Sequence, residues 1–393
     1  MLFADLIRGL VVAAVLTACT VRAEGANDTT LPRLPAGPHM GIIVGFDDLR
    51  GGSYDRVARA EALLDEAASA GASLARVQID WSELEPRPGR YDASALTDAL
   101  EAAGTRGQHV FVTLSTLDSD GFTIPADLLG ADDRLRDGLT LAAPKVIDRF
   151  DAFLDWFVPY LTDAEVWGLT LGNEVDAPIL DGIATEAGAL AFYQSAAKRV
   201  KALDPDMGVS VTLTMGAPEA LPVFTSGLMS ALTLATFNHY CLDRMIRVTG
   251  PDQWRKDVAV MKRAAQELPV MIQELGCPVG FASDGRDRPQ GAEDILQSSL
   301  ETQNAHIAFF RDLYLSDPQF RAATLFQLYD WSPELTGLFA DALRAEGFPR
   351  LADRFDAWLR TIGLCRWETG ACGPAWDTWL AALTAFSKDR ERR

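Results

Sequence analysis

Two apolar runs that each break off in a carboxylate constrain this chain more than any other feature. Trp167-Gly-Leu-Thr-Leu-Gly-Asn-Glu174 ends in a neighbouring amide and carboxylate, Asn173 and Glu174. Pro269-Val-Met-Ile-Gln-Glu-Leu275 repeats the pattern, with Glu274 standing 100 positions after Glu174. Each run reads as a buried strand that delivers one acidic side chain at its C-terminal end. A parallel α/β barrel gathers the C-terminal ends of all its strands on one face, where the two side chains would meet.

The rest of the chain alternates in the way such a barrel needs. Strands are expected at 40–46, 74–80, 108–114, 166–174, 208–213, 234–240, 269–275 and 322–331. Helices are expected at 55–71, 92–104, 144–160, 185–203, 218–232, 251–268, 291–315 and 351–361. The first helix has Val57, Ala60, Leu63, Leu64 and Ala67 at helical spacing and Gly71 as its C-cap; Pro144 opens the third. Eight alternations argue for a parallel sheet with crossovers, and their span fits a closed barrel. A doubly wound sheet is the rival. It lacks support because no Gly-x-Gly-x-x-Gly follows a strand in the first half. The expected fold class is therefore α/β: a single (β/α)8 TIM barrel over 39–361, followed by a disulfide-stapled C-terminal extension, 362–393, packed on the barrel. The Asp/Gly-rich stretch 115–143 is too long for a passive connection and is expected to form a wall of the cleft on the catalytic face.

Charge and histidine content narrow the chemistry. A net charge of −19 argues against nucleic acid and anionic membrane surfaces as partners. The histidines, His39, His109, His239 and His306, are scattered without metal-ligand spacing, so neither a catalytic metal nor another cofactor is expected. The start of the chain reads as a targeting segment. Arg8 precedes an apolar run too short to span a bilayer, and Leu16-Thr17-Ala18-Cys19 resembles the lipobox of bacterial lipoproteins. An ordinary signal peptide with a chance cysteine is the alternative. On the lipobox reading, 1–19 is a signal segment, Cys19 carries lipid, 20–38 is a tether, and Thr20 favours an outer-membrane anchor over inner-membrane retention. The protein would then be an exported outer-membrane or periplasmic lipoprotein, monomeric, touching the membrane only through its anchor. Four cysteines remain, which allow three pairings; Cys241–Cys277, at the ends of neighbouring strands, and Cys365–Cys372, across a short loop, are favoured.

Two carboxylates facing each other across one mouth suffice to cleave a glycosidic bond. Several further signals resemble glycoside hydrolase clan A, the retaining β-glycosidases with barrel folds, and family 5 in particular. They cover roughly residues 40–335. The stretch from Ala75 to Asp92, with Arg76, Trp81, a Glu-Pro, a Gly and a Tyr-Asp, resembles that clan's strand-2 signature. Gly172-Asn-Glu174 resembles the strand-4 motif, Asn238-His-Tyr240 the strand-6 motif and Gln273-Glu-Leu-Gly276 the strand-7 segment, and Trp331 stands where a strand-8 tryptophan often lies. The chain departs from the pattern at the end of strand 3, where Thr113, Leu114 and Ser115 stand in place of a histidine.

The resemblance implies a retaining hydrolase acting on a β-linked glycoside or polysaccharide, with Glu274 as nucleophile and Glu174 as acid/base. It implies that Asn173 binds the sugar 2-OH, that Arg76 holds Glu274 ionised and that Tyr240 donates to Glu274. His239 would contact the acid/base or the sugar, or else lie in the core. Trp331 would offer a stacking face; Trp81 would do the same or pack beneath its loop. A carbohydrate-binding lipoprotein without catalysis and a transglycosylase using the same residues are the alternative functions.

Overall fold

The computed structural model describes residues 31–44, 55–281 and 296–392. The expected signal segment with Cys19, most of the tether, the end of the first strand and the start of the 291–315 helix fall outside the described residues.

The barrel strands are β1 His39–Ile42, β2 Leu74–Asp80, β3 His109–Ser115, β4 Gly168–Thr170, β5 in two pieces (Gly208–Ser210 and Thr212–Leu213), β6 Ala235–Tyr240, β7 Val270–Gly276 and β8 Phe320–Leu325. All pair in parallel, in the orders β2-β3-β4-β5 and β1-β8-β7-β6-β5. The first piece of β5 pairs with β4 and the second with β6, so this strand joins the two sheets. The other seam lies between β1 and β2, where the Ser73 N–H donates to the Met40 carbonyl at 3.1 Å. The strands meet so closely there that a Cβ on Gly41 would sit 2.0 Å from the Leu74 carbonyl oxygen. Two strands are shorter than expected. The chain leaves β4 at Thr170 and β8 at Leu325, and the site residues beyond them sit in turns.

Helices α1 Arg56–Ala70, α2 Ser94–Thr105, α3 Pro144–Asp163, α4 Glu186–Leu203, α5 Pro222–Met229, α6 Pro251–Ala265 and α7 Leu300–Ser316 follow β1 to β7 in turn. The signals that start and stop them are local. The Asp55 side chain accepts from the Ala58 N–H, and Gly71 ends α1 in the left-handed region at φ 110°. α3 has Pro144 in its first turn and buries Val146, Phe150, Phe153, Leu154, Phe157, Val158 and Leu161, one stripe at helical spacing. Each such side chain contributes up to about 2 kcal/mol of burial. Val57, expected on the inner face of α1, is instead 49% exposed.

After β8 come a helical hairpin, α8 Pro333–Ala345 and α9 Pro349–Leu359, and then α10 Pro374–Arg390. The sequence suggests that 351–361 closes the barrel. In the structure α9 pairs with α8, and α10 stands between α7 and α1 and completes the helical ring. Arg390 ties it down by donating to the carbonyls of Pro38 at 2.7 Å and Gly71 at 2.9 Å. Both favoured disulfides are present: Cys241–Cys277, with Cα atoms 5.1 Å apart, joins the ends of β6 and β7, and Cys365–Cys372 staples the turn that leads into α10.

The barrel interior is layered. Leu74, Phe111, Trp167, Leu234, Met271 and Ala322 plug its N-terminal end, with Leu31 and Leu34 packed beneath. Above them lies a polar layer of Thr113, Thr170, Thr212, Thr236, Gln273 and Thr324, all buried. Gln273 is its hub: its Oε1 accepts from Thr113 at 3.1 Å and Thr212 at 2.8 Å. Gly41→Ala, by forcing β1 away from β2 at the seam, should cost about 1–3 kcal/mol. Urea unfolding, with wild type and the surface control Val57→Ala alongside, checks it; equal midpoints for Gly41→Ala and wild type would contradict the seam geometry.

Candidate active site

Glu174 is delivered by a strained turn. The Leu171 N–H still pairs with Ser210, and the chain then folds back. Gly172 sits so tightly that a Cβ there would be 2.6 Å from Val175 and 2.7 Å from the Tyr193 hydroxyl. The Asn173 N–H donates to the Leu117 carbonyl at 3.0 Å, which docks the turn on the loop after β3. Glu174 itself is left-handed, at φ 47°. That conformation costs an L-residue on the order of 1 kcal/mol, and a fold keeps it where a side chain must point somewhere particular.

Glu274 reaches the same mouth by a different device. Strict alternation would send Gln273 and Glu274 to opposite faces of β7. The register with β6 slips at this point: Ile272 is opposite Phe237, but Glu274 is opposite Asn238. The extra residue is a β-bulge, and it turns both Gln273 and Glu274 inward. β6 keeps plain alternation, so Thr236, Asn238 and Tyr240 face the interior.

The two carboxylates receive unlike partners. Glu274 accepts from the Arg76 guanidinium at 3.0 Å and from the Tyr240 hydroxyl at 2.6 Å. Arg76 is fixed in turn by donating to Thr113 at 2.9 Å and Gln78 at 2.6 Å. Glu174 accepts from the Asn238 amide at 2.9 Å, and among the described residues no cation pairs with it. Burial, then the charge of Glu274, pushes the Glu174 carboxyl up to about 8. Burial also raises Glu274, but Arg76 and the Tyr240 hydroxyl oppose it. A carboxylate with a guanidinium and a phenol on it is the one that ionises first, and the other keeps the proton. Asn173 sits between them. Its Oδ1 accepts from Gln273 at 2.9 Å and Asn238 at 3.3 Å, and its Nδ2 donates to Asp118 at 2.9 Å.

Most of the expected site therefore assembles: Glu174, Glu274, Asn173, Arg76 and Tyr240 converge, and Trp331 lines a cavity with Glu274, Arg76, Gln78 and Gln327. Two expectations are corrected. His239 points outward between inward-facing Asn238 and Tyr240; it is fully buried, hydrogen-bonded to Asp257 at 3.1 Å and His306 at 3.3 Å. Trp81 is a core residue, packed on Phe150 and Phe153 with its indole N–H donating to Glu85 at 2.8 Å. Gln78, Thr113, Asp118, Asn238 and Gln273 join the site with no role foreseen from the sequence. For Asn238 the signal was present, since it shares the inward parity of Tyr240. Asp80, at the end of β2, had none foreseen either; burial, then Glu83, Asp118 and Asp120, raises it to about 7. The loop 115–143 does wall this face, through a small hairpin of Leu117–Asp118 and Gly121–Phe122.

No protein-family model and no curated protein matches the sequence. Solved structures do match. An exo-β-1,4-mannosidase from Opitutaceae bacterium strain TAV5 superposes at TM-score 0.64 and 18% identity, over 91% of this chain and 61% of that one. GH5_18 from Streptomyces cattleya, in complex with GlcNAc, gives 0.62 and 19%, over 90% and 81%. A family 39 glycoside hydrolase from Bacteroides cellulosilyticus WH2 gives 0.54 and 13%, over 90% and 64%. The chain has the (β/α)8 barrel fold of these clan A glycoside hydrolases. It spans about three fifths of the Opitutaceae enzyme's length.

The unlike partners of the two carboxylates have a direct consequence. Tyr240→Phe removes a hydrogen bond made to the ionised form of Glu274, so the Glu274 carboxyl should titrate at higher pH in the variant. Carbon-13 NMR of labelled glutamate carboxyls, read against a Glu274→Gln spectrum for assignment, checks this; an unmoved or lowered midpoint would contradict it.

Proposed function

We propose that the chain is a retaining β-glycosidase in which Glu274 is the nucleophile and Glu174 the acid/base. The observation that carries the proposal is the asymmetry of the pair: Arg76 and Tyr240 both donate to Glu274, while among the described residues Glu174 receives an amide donor alone. In the first step a Glu274 oxygen attacks the anomeric carbon, the bond to the leaving oxygen breaks, and Glu174 passes its proton to that oxygen. The ester so formed removes the negative charge of Glu274. The main electrostatic reason for the raised Glu174 carboxyl goes with it, so Glu174 ionises readily. It then takes a proton from water, the water oxygen attacks the anomeric carbon, and the ester bond breaks to restore Glu274. Asn173, with an N–H beyond the one given to Asp118, would bind the sugar 2-OH, an interaction that strengthens in the transition state. Trp331 would supply an apolar face for a pyranose ring.

A β-mannoside is the substrate class to try first. One structural neighbour is an exo-β-1,4-mannosidase, and a variant of the Streptomyces cattleya protein was solved with Manβ1-4GlcNAc. An exported, lipid-anchored setting accords with two disulfides.

The test is hydrolysis of aryl β-glycosides and of β-mannans, glucans, xylans and galactans by the purified protein. Wild type should turn over at least one class, and Glu274→Gln should lose at least about 10³-fold in kcat/KM. A folded protein that cleaves nothing but binds sugar would replace this proposal with a non-catalytic binding role. Where turnover is found, its pH profile should be a bell. The acid must be protonated, so kcat/KM should fall as pH rises through the raised Glu174 value near 8. The nucleophile must be ionised, so it should also fall as pH drops through that of Glu274. Glu174→Gln should remove the basic limb for substrates whose leaving group needs no proton.

A further inference from the structure

The end of β3, where the resemblance expects a histidine, is served by a carboxylate from the hairpin just beyond it. The Asp118 side chain gathers donors from three neighbouring strand ends. Its Oδ1 accepts from Asn173 Nδ2 at 2.9 Å, and from the Ser119 N–H at 2.7 Å and hydroxyl at 3.1 Å. Its Oδ2 accepts from Gln78 Nε2 at 3.0 Å and the Ser115 hydroxyl at 3.1 Å. Gln78 in turn accepts from Arg76, which donates to Glu274. Asp118 thus stands one residue away from Arg76, through Gln78, and from Asn238, through Asn173, and it touches neither proposed catalytic carboxylate.

We infer that Asp118 is a positioning residue for the proposed cleavage: it fixes the Asn173 amide in the one orientation that leaves a second Nδ2 hydrogen for the substrate. The reason lies in donor and acceptor counting. An amide is nearly symmetric in shape, and only its partners decide which end faces which way. Gln273 and Asn238 present N–H groups to one end of Asn173, and Asp118 presents an acceptor with no proton of its own to the other. A reversed amide would place its oxygen against the Asp118 carboxylate and its N–H groups against two donors. An Asn at position 118 would remove that penalty, because it brings both a donor and an acceptor of the same shape.

Asp118 also acts at longer range. The titratable groups that feel its charge are Asp80 on β2, Glu174 beyond β4, the Tyr193 phenol on α4 and Glu274 in β7. Its charge adds to the upward push on both Glu174 and Glu274. Asp118→Asn removes it while preserving size.

The inference rests on the glycosidase reading, and the test separates the two. Asp118→Asn and Asp118→Ala are compared with wild type in the full chain, with unfolding midpoints recorded. The first readout needs no turnover: carbon-13 NMR titration of the Glu174 carboxyl should show it titrating lower in Asp118→Asn than in wild type. The second uses paired aryl β-glycosides with and without the 2-OH, drawn from whichever sugar class wild type cleaves. Asp118→Asn should lose roughly 10- to 100-fold in kcat/KM on the parent sugar and less than about 2-fold on its 2-deoxy analogue, and it should be non-additive with Asn173→Ala. Equal losses on both sugars, or an unmoved Glu174 titration, would reduce Asp118 to a structural residue. Absence of wild-type turnover would overturn the glycosidase reading alone, and the NMR titration would still decide whether Asp118 governs Glu174.

Discussion

The ion pair between Arg76 and Glu274 is the constraint around which the upper half of the barrel is arranged. Both side chains are largely out of solvent, 3% and 10% exposed, and their atoms lie 3.0 Å apart. Two charges taken out of water are tolerable only when every remaining donor and lone pair is met. The neighbouring strands meet them: Thr113 takes the Arg76 Nε–H, Gln78 another guanidinium N–H, and Tyr240 donates to the second Glu274 oxygen. Tyr240 is itself held high, first by burial and then by Glu274, and so remains a phenol able to donate. The pair fixes where negative charge sits, and among the described residues no cation pairs with the other acid.

That arrangement needs a platform, and the threonine layer supplies one. A purely apolar interior, like the plug below it, would leave the amides of Asn173 and Gln273 without partners, at a cost of roughly 1–3 kcal/mol each. Short β-branched hydroxyl residues fit the strand geometry and present one donor and one acceptor apiece. Thr113 and Thr212 both donate to Gln273, Gln273 donates to Asn173, and Asn173 donates to Asp118. Polarity therefore rises along the barrel axis from plug to mouth in three steps.

How much of this was legible in the sequence depends on the range over which each cause acts. Strand ends, capping residues and the two carboxylates were readable because their signals are local: an apolar run, a Gly71 after α1, a Pro144 before α3. The cysteine pairs were readable because neighbouring strand ends are close in any parallel barrel. The bulge in β7 was not, since only its registers with β6 and β8 show that Gln273 and Glu274 share a face. Of the two places open to His239 the core is the one it takes, which the inward parity of Asn238 and Tyr240 already favoured. Trp81 opens a short helix, Trp81–Leu84, whose packing against α3 depends on contacts some 70 residues away. Asp118 sits in a hairpin with no periodicity to read, and only the fold brings it to Asn173.

The segment after β8 shows how closure and access are divided between separate pieces of chain. A barrel strand is normally followed at once by the helix that covers it. Here α8 and α9 intervene, and the covering role passes to α10, anchored through Arg390 and through the Trp379 indole against the Met40 sulfur at 3.2 Å. Freed from covering the barrel, the hairpin packs at the mouth. Trp358 of α9 stands edge-on to Tyr240 with ring centres 4.9 Å apart, and Phe339 of α8 packs against Trp331 at 5.7 Å. The hairpin thus buttresses the phenol that holds Glu274 and flanks the Trp331 ring, while the Cys241–Cys277 bridge locks the strand ends beside Tyr240. α10 therefore closes the barrel without the hairpin taking part.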